Sequence, residues 1–484
     1  MNNFSVLQPS SQISFGWIYF ISFFIASLLI LSFCKNRIHI LITLLFLFIP
    51  FREEFVFFAG ATWRLSDIFG IQLVGFTILA ILQDPRNPKY SNFPIPLILI
   101  MIFYIAIGFL SLAFSPPLPH GVEGNFSGRN VPELRGLTQL ARWIYAFTLI
   151  YSLYVNIESK EQFQRLIKTL CITACIISSF SIIFYLLWKT ELIGRPLASI
   201  FVDRINPHRI SGLDFEPSNF SYYLVITMIL SAWEVYTKRL KIFRNHYSWV
   251  ILAPQIAAFT FCQSAIGLLI LGSALFLTFL EIRFQLYRFK KRTNLPVTGI
   301  VLGLCITLMS VLIFMGITDR PRFLFNPTLK AASFFGRVGG ITTDLNMYAA
   351  HPELGVGIGK YMYHFSDYIA SMHPVGEKVK FSGFQSVFTG AFAETGLLGG
   401  LSITFFVLYL LLHVHKRVTI DLACGTAEIV PYFTIFIAAA VYLSFSPFLL
   451  GHTVLIPLIL PLLASRVQYN KTDNWKGNLY AASA

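Results

Sequence analysis

The chain has 484 residues, 55% of them hydrophobic and only 12% charged, with 49 Phe and a formal net charge of +14. A mean hydropathy of +0.67 in so charge-poor a chain excludes a soluble globular core and implies a polytopic integral membrane protein. In that class a positive excess anchors at an anionic membrane leaflet and does not point to nucleic acid.

No charge occurs from Met1 through Gly16, whereas a cleaved secretory signal needs a positive leading region. Residues 17–34 are therefore expected as a retained first span. Further apolar stretches fall near 38–51, 65–83, 95–114, 136–155, 165–188, 219–236, 248–262, 264–282, 295–317, 386–412, 430–447 and 452–465. Crossing a bilayer takes about 20 residues, so the pattern predicts an all-α bundle of about 12–13 spans. The stretch 248–282 reads either as a tight hairpin or as a broken helix. No solenoid repeat or low-complexity tract appears, so residues 1–484 are read as one transmembrane domain. Within it, 318–385 forms a long inserted loop.

Charge sets the expected orientation. Lys35 and Arg37, Arg86 and Lys89, Lys160 to Lys168, Lys238 to Arg244, Arg283 to Arg292, Lys416 and Arg417, and the segment from Arg466 fall on alternate loops. These loops hold more than half of the 37 Lys and Arg, which makes their side cytoplasmic. The long segments 115–135, 189–218 and 318–385 then face outward. They retain Arg129, Arg135, Arg195, Arg204, Arg209, Arg320, Arg322, Lys330, Arg337, Lys360, Lys378 and Lys380 against the topological bias. Guanidinium groups suit phosphate or carboxylate. Pairing with Asp203, Asp214, Glu216, Asp344 or Glu353 is the structural alternative. Within the long loop, apolar spacing predicts amphipathic helices near 328–350 and 359–372, lying on the membrane.

The six cysteines lie in predicted spans or on the cytoplasmic side, so no disulfide framework is implied. The chain has no CxxC, HExxH, Walker loop or dinucleotide fingerprint. Metal, cofactor and nucleotide chemistry are not suggested.

Three segments carry candidate chemistry. In the first, Arg209-Ile-Ser-Gly212 leads to Glu216-Pro217-Ser218-Asn219-Phe-Ser221 at the start of a span. Pro217 suits a first helical turn, and the helix amides with Arg204 and Arg209 form an expected anion site. Glu216 is expected as a carboxylate that desolvation at the membrane boundary turns into a base. Pairing with Arg209 is the alternative. The second is His351-Pro-Glu-Leu-Gly355-Val-Gly357-Ile-Gly359 within the long loop, preceded by Arg337, Arg320 and Arg322. His351 reads either as an acid–base group or as a structural residue at a helix end. The third is Gln385-Ser386 followed by Glu394-Thr-Gly396-Leu-Leu-Gly399. An acidic side chain inside a span marks a functional hypothesis.

Taken in order, R-x-S-G-x-x-x-x-P-S-N-F-S at 209–221, G-R at 336–337, H-P-x-x-G-x-G-x-G at 351–359 and E-x-G-x-x-G at 394–399 resemble the O-antigen polymerase and O-antigen ligase superfamily. The motifs cover roughly residues 200–415. The resemblance implies a GT-C-like fold and glycan transfer from an undecaprenyl-pyrophosphate donor at the outer face of the inner membrane. It assigns Arg209 and Arg337 to the pyrophosphate. Arg204, Arg320, Arg322, His351, Gln385 and Ser386 then line the substrate site. Glu216 is the first choice for activating an acceptor hydroxyl, and Glu394 the second. The ligases carry H-[NSQ]-x9-G-x-x-G, and this chain has Gln385 at the histidine position with Ser386 beside it. That departure favours a repeat-unit polymerase of O-antigen or exopolysaccharide over a ligase. Expected partners are a lipid-linked oligosaccharide, a chain-length regulator, a flippase and the lipid bilayer. A transporter, either a bicarbonate-type carrier or a flippase, is the reading from another class. No matched pair of interrupted helices supports it.

Overall fold

The computed structural model describes residues 12–34, 36–51, 56–58, 61–118, 132–203, 209–213, 216–237, 247–288, 327–369, 386–424, 426–444 and 452–469. The helices among them are α1 (Gln12–Ser32), α2 (Arg37–Phe48), α3 (Leu65–Gln83), α4 (Ile95–Ala113), α5 (Pro132–Asn156), α6 (Lys160–Lys189), α7 (Arg195–Ala198), α8 (Pro217–Thr237), α9 (Tyr247–Cys262), α10 (Ala265–Arg288), α11 (Pro327–Ala350), α12 (Tyr361–Tyr368), α13 (Val387–Ala423), α14 (Val430–Leu443) and α15 (His452–Tyr469). The all-helical expectation needs one addition. Strands β1 (Val56–Phe58) and β2 (Ala61–Trp63) pair antiparallel, with Val56 opposite Trp63.

Among the described residues, five helical stretches are long and apolar enough to cross a membrane: α3, α4, α6, Ile266–Tyr287 of α10, and α13. Five shorter apolar stretches accompany them in α1, α2, α9, α14 and α15. The protein is a helical, membrane-embedded chain. Its surface bears this out, because Leu82, Leu99 and Ile102 are 71%, 61% and 59% exposed on apolar helices. Ser178, Thr227 and Gln255 are instead fully buried between helices. Small and polar groups inside with large apolar groups outside is how helices pack when lipid is the solvent. The expected span at 295–317 lies outside the described residues.

Local sequence explains the helix limits. Ser159 accepts the Gln162 N–H at 3.1 Å, and the Gln162 side chain accepts the Ser159 N–H in return, which starts α6. The 248–282 stretch resolves as a tight turn between two helices. Gln263 adopts φ 48° and Ser264 Oγ accepts the Gly267 N–H at 3.1 Å, so α9 ends and α10 begins within two residues.

One end of the bundle gathers segments that the sequence placed on the cation-rich side. Lys89 pairs with Glu158 at 3.3 Å, Lys160 with Glu428 at 2.7 Å and His415 with Glu281 at 2.9 Å. Arg466 lies over the Tyr154 ring at 4.5 Å. The opposite end gathers the C-terminus of α4, the N-terminus of α5, residues 351–360 and the first turns of α13. That end carries the candidate site.

Candidate functional site

Two motifs that are separate in sequence form one unit in space. Helix α13 breaks at Gly396 (φ 67°, ψ −164°). A break frees carbonyls and an N–H that the helix would otherwise satisfy. The 351–359 loop supplies their partners. Val356 N–H donates to the Ala393 carbonyl at 2.8 Å and Gly357 N–H to the Glu394 carbonyl at 3.0 Å. Leu397 N–H donates to the Pro352 carbonyl at 2.8 Å. From α4, Ser111 Oγ donates to the Glu394 carbonyl at 2.6 Å.

The glycine spacing follows from this docking. Gly355, Gly357 and Gly359 all have positive φ. A Cβ on Gly355 would lie 2.4 Å from the Glu394 carbonyl carbon, and one on Gly359 would lie 3.0 Å from the Arg135 carbonyl oxygen. The loop is thus held between the α13 break, the end of α4 and the start of α5.

Docking brings several polar groups together. The Glu394 carboxylate accepts the backbone N–H groups of Gly359 and Tyr361 and faces the Arg135 guanidinium. It therefore caps the start of α12 as a helix N-terminus favours. Asp344 of α11 is fully buried. It accepts the Tyr361 hydroxyl at 2.5 Å and also the Thr389 hydroxyl, joining α11, α12 and α13. Burial, followed by the Asp344 carboxylate, pushes the Tyr361 phenol well up, so it stays protonated as the donor. His351 Nε2 meets the Tyr368 hydroxyl at 2.9 Å, closing the far end of α12. That contact ties residue 351 to the last turn of α12. Helices α11 and α12 form where amphipathic spacing predicts them. Yet α12 buries Tyr361, Tyr363, His364 and Phe365 against the protein, so it is packed rather than laid on a membrane surface.

The other expected site residues are placed as follows. Arg209 donates from Nε to the Cys262 carbonyl at 2.9 Å, and its Nη1 lies 3.8 Å from Asp203. The guanidinium thus ties the end of α9 to the strand-like pair Val202 and Ile210. Glu216 is exposed on the protein surface. The protein does not bury it, so the expected desolvation is not provided by packing, because Glu216 precedes the first turn of α8 rather than lying within the bundle. Asn219 accepts the Tyr442 hydroxyl from α14, and Gly267 of α10 packs on Ser221, so these two positions of P-S-N-F-S hold helices together. Ser386 is buried at the N-cap of α13. Arg337 lies on α11. Arg204, Arg320, Arg322, Asp214 and Gln385 lie outside the described residues.

One polar group at the junction, His364, drew no role from the sequence, whereas Lys360 stood only among the outward cations and Asp344 only among their pairing partners. The signal for His364 was spacing, since Lys360, His364 and Tyr368 fall on one face of the predicted second helix. His364 is 3% exposed. Its burial, with the Lys360 and His351 charges adding and Asp367 opposing, pushes the imidazole down to about 4. Such a group costs no stability above its unfolded value near 6.5 and withdraws stability as pH falls from there toward 4. Amide hydrogen exchange in Lys360–Tyr368 should therefore accelerate between pH 6.5 and 4 after correction for intrinsic rates. His364→Phe should remove that dependence. An unchanged dependence in the variant would assign it to another group.

Compared with protein-family models and with curated proteins, the chain matches none.

Proposed function

We propose that this protein is a membrane glycosyltransferase of the repeat-unit polymerase type, GT-C-like in fold and of the inner membrane. It transfers glycan from an undecaprenyl-pyrophosphate donor to a hydroxyl of a second lipid-linked unit at the outer face. The docking of the 351–359 loop on the Gly396 break carries the reading. It gathers Glu394, Arg135, Lys360 and His364 at one end of an apolar bundle. A lipid-borne donor reaches such a site from the bilayer, with its diphosphate at the level of Arg135 and Lys360.

In the reaction the acceptor oxygen bonds to the anomeric carbon and the bond from that carbon to the diphosphate oxygen breaks. The acceptor proton passes to a base and the electron pair leaves with the diphosphate. Cations at the leaving group lower the barrier without further chemistry. Arg337 and Arg209 are proposed for that charge. Glu216, open at the entry to α8, is proposed to take the proton. Gln385, in place of the ligase histidine, favours polymerisation over ligation.

Deletion of the protein should leave single repeat units on the acceptor lipid, seen as loss of the ladder on a surface-glycan gel. Full polymer retained on the carrier lipid would mean a ligase, and an unchanged ladder would end both readings. A change in labelled bicarbonate uptake would favour the carrier. Arg337→Ala should abolish long polymer while leaving the protein in the membrane. The same loss is expected for Arg209→Ala, with membrane abundance measured alongside because Arg209 also ties α9 in place. A normal chain-length distribution in both variants would remove the arginines from the diphosphate.

A further inference from the structure

Lys360 is a buried residue whose ammonium meets one hydroxyl and no carboxylate among the described residues. It is 7% exposed. Its Nζ donates to Ser115 Oγ at 2.6 Å. Among the described residues no carboxylate forms an ion pair with it. A largely buried lysine held by one hydroxyl is favoured by an arriving counter-charge.

The placement is built rather than incidental. Lys360 N–H donates to the Gly357 carbonyl at 2.9 Å, which turns the chain into α12. Gly357 has φ 103°, and a Cβ there would lie 2.7 Å from Ser115 Cβ and 3.0 Å from Lys360 Cδ. A bare backbone at 357 is what lets the lysine stem run down to Ser115. One turn further along the same face, His364 is buried with Nε2 lacking any partner among the described residues. Four-residue spacing sets the two side chains over each other. Arg135 stands on the adjacent first turn of α5, close enough for its charge to act on Glu394.

We propose that Lys360 and His364 form an anion subsite that takes a phosphate-bearing head group, with Ser115 orienting the lysine. The ammonium supplies charge, and His364 Nε2 in its N–H tautomer supplies a directed donor to a phosphate oxygen. The occupant we assign is the diphosphate of an isoprenoid lipid. That assignment rests on the polymerase reading, whereas anion binding at Lys360 does not.

The test uses the purified full chain in detergent, titrated separately with farnesyl diphosphate, inorganic pyrophosphate and phosphatidylglycerol. The shift of the thermal midpoint is read against concentration. Farnesyl diphosphate should bind saturably, with affinity about tenfold or more weaker in Lys360→Met and held within about threefold in Lys360→Arg. His364→Phe should weaken it by about threefold to tenfold. Ligand-free midpoints show whether each variant folds. If Lys360→Met does not, Ser115→Ala keeps the lysine, removes its anchor and should weaken binding by about threefold. Affinity unchanged in Lys360→Met and Ser115→Ala, or no binding of any probe, overturns the subsite. A Lys360-dependent response to phosphatidylglycerol alone keeps the anion site and overturns the diphosphate occupant. Lys360-dependent diphosphate binding with an unchanged glycan ladder in the deletion strain would keep the subsite and end the polymerase reading.

Discussion

Gly396→Ala should undock the 351–359 loop and abolish long polymer. Two independent costs act at this position. Its backbone, at φ 67° and ψ −164°, lies in a region that only glycine occupies readily, worth about 1–3 kcal/mol to any other residue. A Cβ would also lie 2.2 Å from the Glu353 carbonyl oxygen and 2.4 Å from its carbon. Those are backbone atoms and cannot swing aside as a side chain would. Together they bring the expected loss to about 3–5 kcal/mol, in the range reserved for strain and overpacking combined. The reciprocal change, Gly355→Ala, meets the Glu394 backbone at 2.4 Å and should act alike. Gly75→Ala and Gly272→Ala are internal controls. Both lie in helices with nothing within 4 Å of the added methyl, so they should be neutral or stabilising by up to about 1 kcal/mol. Thermal unfolding of the detergent-solubilised protein and hydrogen exchange over 351–361 check the series. A Gly396→Ala protein that melts with the wild type and keeps its loop protected would refute the docking.

The part of this architecture readable in advance was the part set by local pattern. Apolar runs predicted most helices to within a few residues, because a segment in lipid must satisfy its own backbone and so must be helical. The alternation of Lys and Arg among the loops predicted which segments share an end, and the Lys89–Glu158 and Lys160–Glu428 pairs join segments assigned to one side. Motif order named the right stretches of chain for the junction. It did not show that His351–Gly359 and Glu394–Gly399 are two halves of one contact. That contact is made by backbone N–H and carbonyl groups, which every residue possesses, so side-chain identity carries little trace of it. The glycines are the trace, because a side chain at Gly355 or Gly396 would meet the facing backbone. Arg209 shows a second kind of long-range contact. Its guanidinium, expected at an anion or at a carboxylate such as Asp203, lies 3.8 Å from Asp203 and also reaches the helix-terminal carbonyl of Cys262, fifty-three residues away. No spacing rule anticipates a backbone acceptor brought in by a helical hairpin. The hairpin β1–β2 was missed because three-residue strands are too short to show alternation.

Glu394 should behave as a positioning residue, and the variants that separate this from catalysis differ by one atom. Its carboxylate is 5% exposed, accepts two backbone N–H groups and faces Arg135. Glu394→Ala strands both donors and leaves Arg135 without that charge. Each buried unsatisfied donor costs about 1–3 kcal/mol, so a loss of about 3–5 kcal/mol and an undocked α12 are expected. Glu394→Gln keeps an oxygen that accepts one of the donors. Its amide nitrogen then opposes the other, and the attraction to Arg135 is gone. An intermediate loss of about 1–3 kcal/mol follows. If the role is positional, polymer length in the two variants should scale with hydrogen-exchange protection of Lys360–Tyr368, and Glu394→Gln should retain shortened chains. A proton acceptor behaves differently, because an amide cannot take a proton however well the loop is docked. A Glu394→Gln protein with full protection over α12 and no polymer would therefore move Glu394 to the reacting centre. It would then replace Glu216 as the group that activates the acceptor hydroxyl.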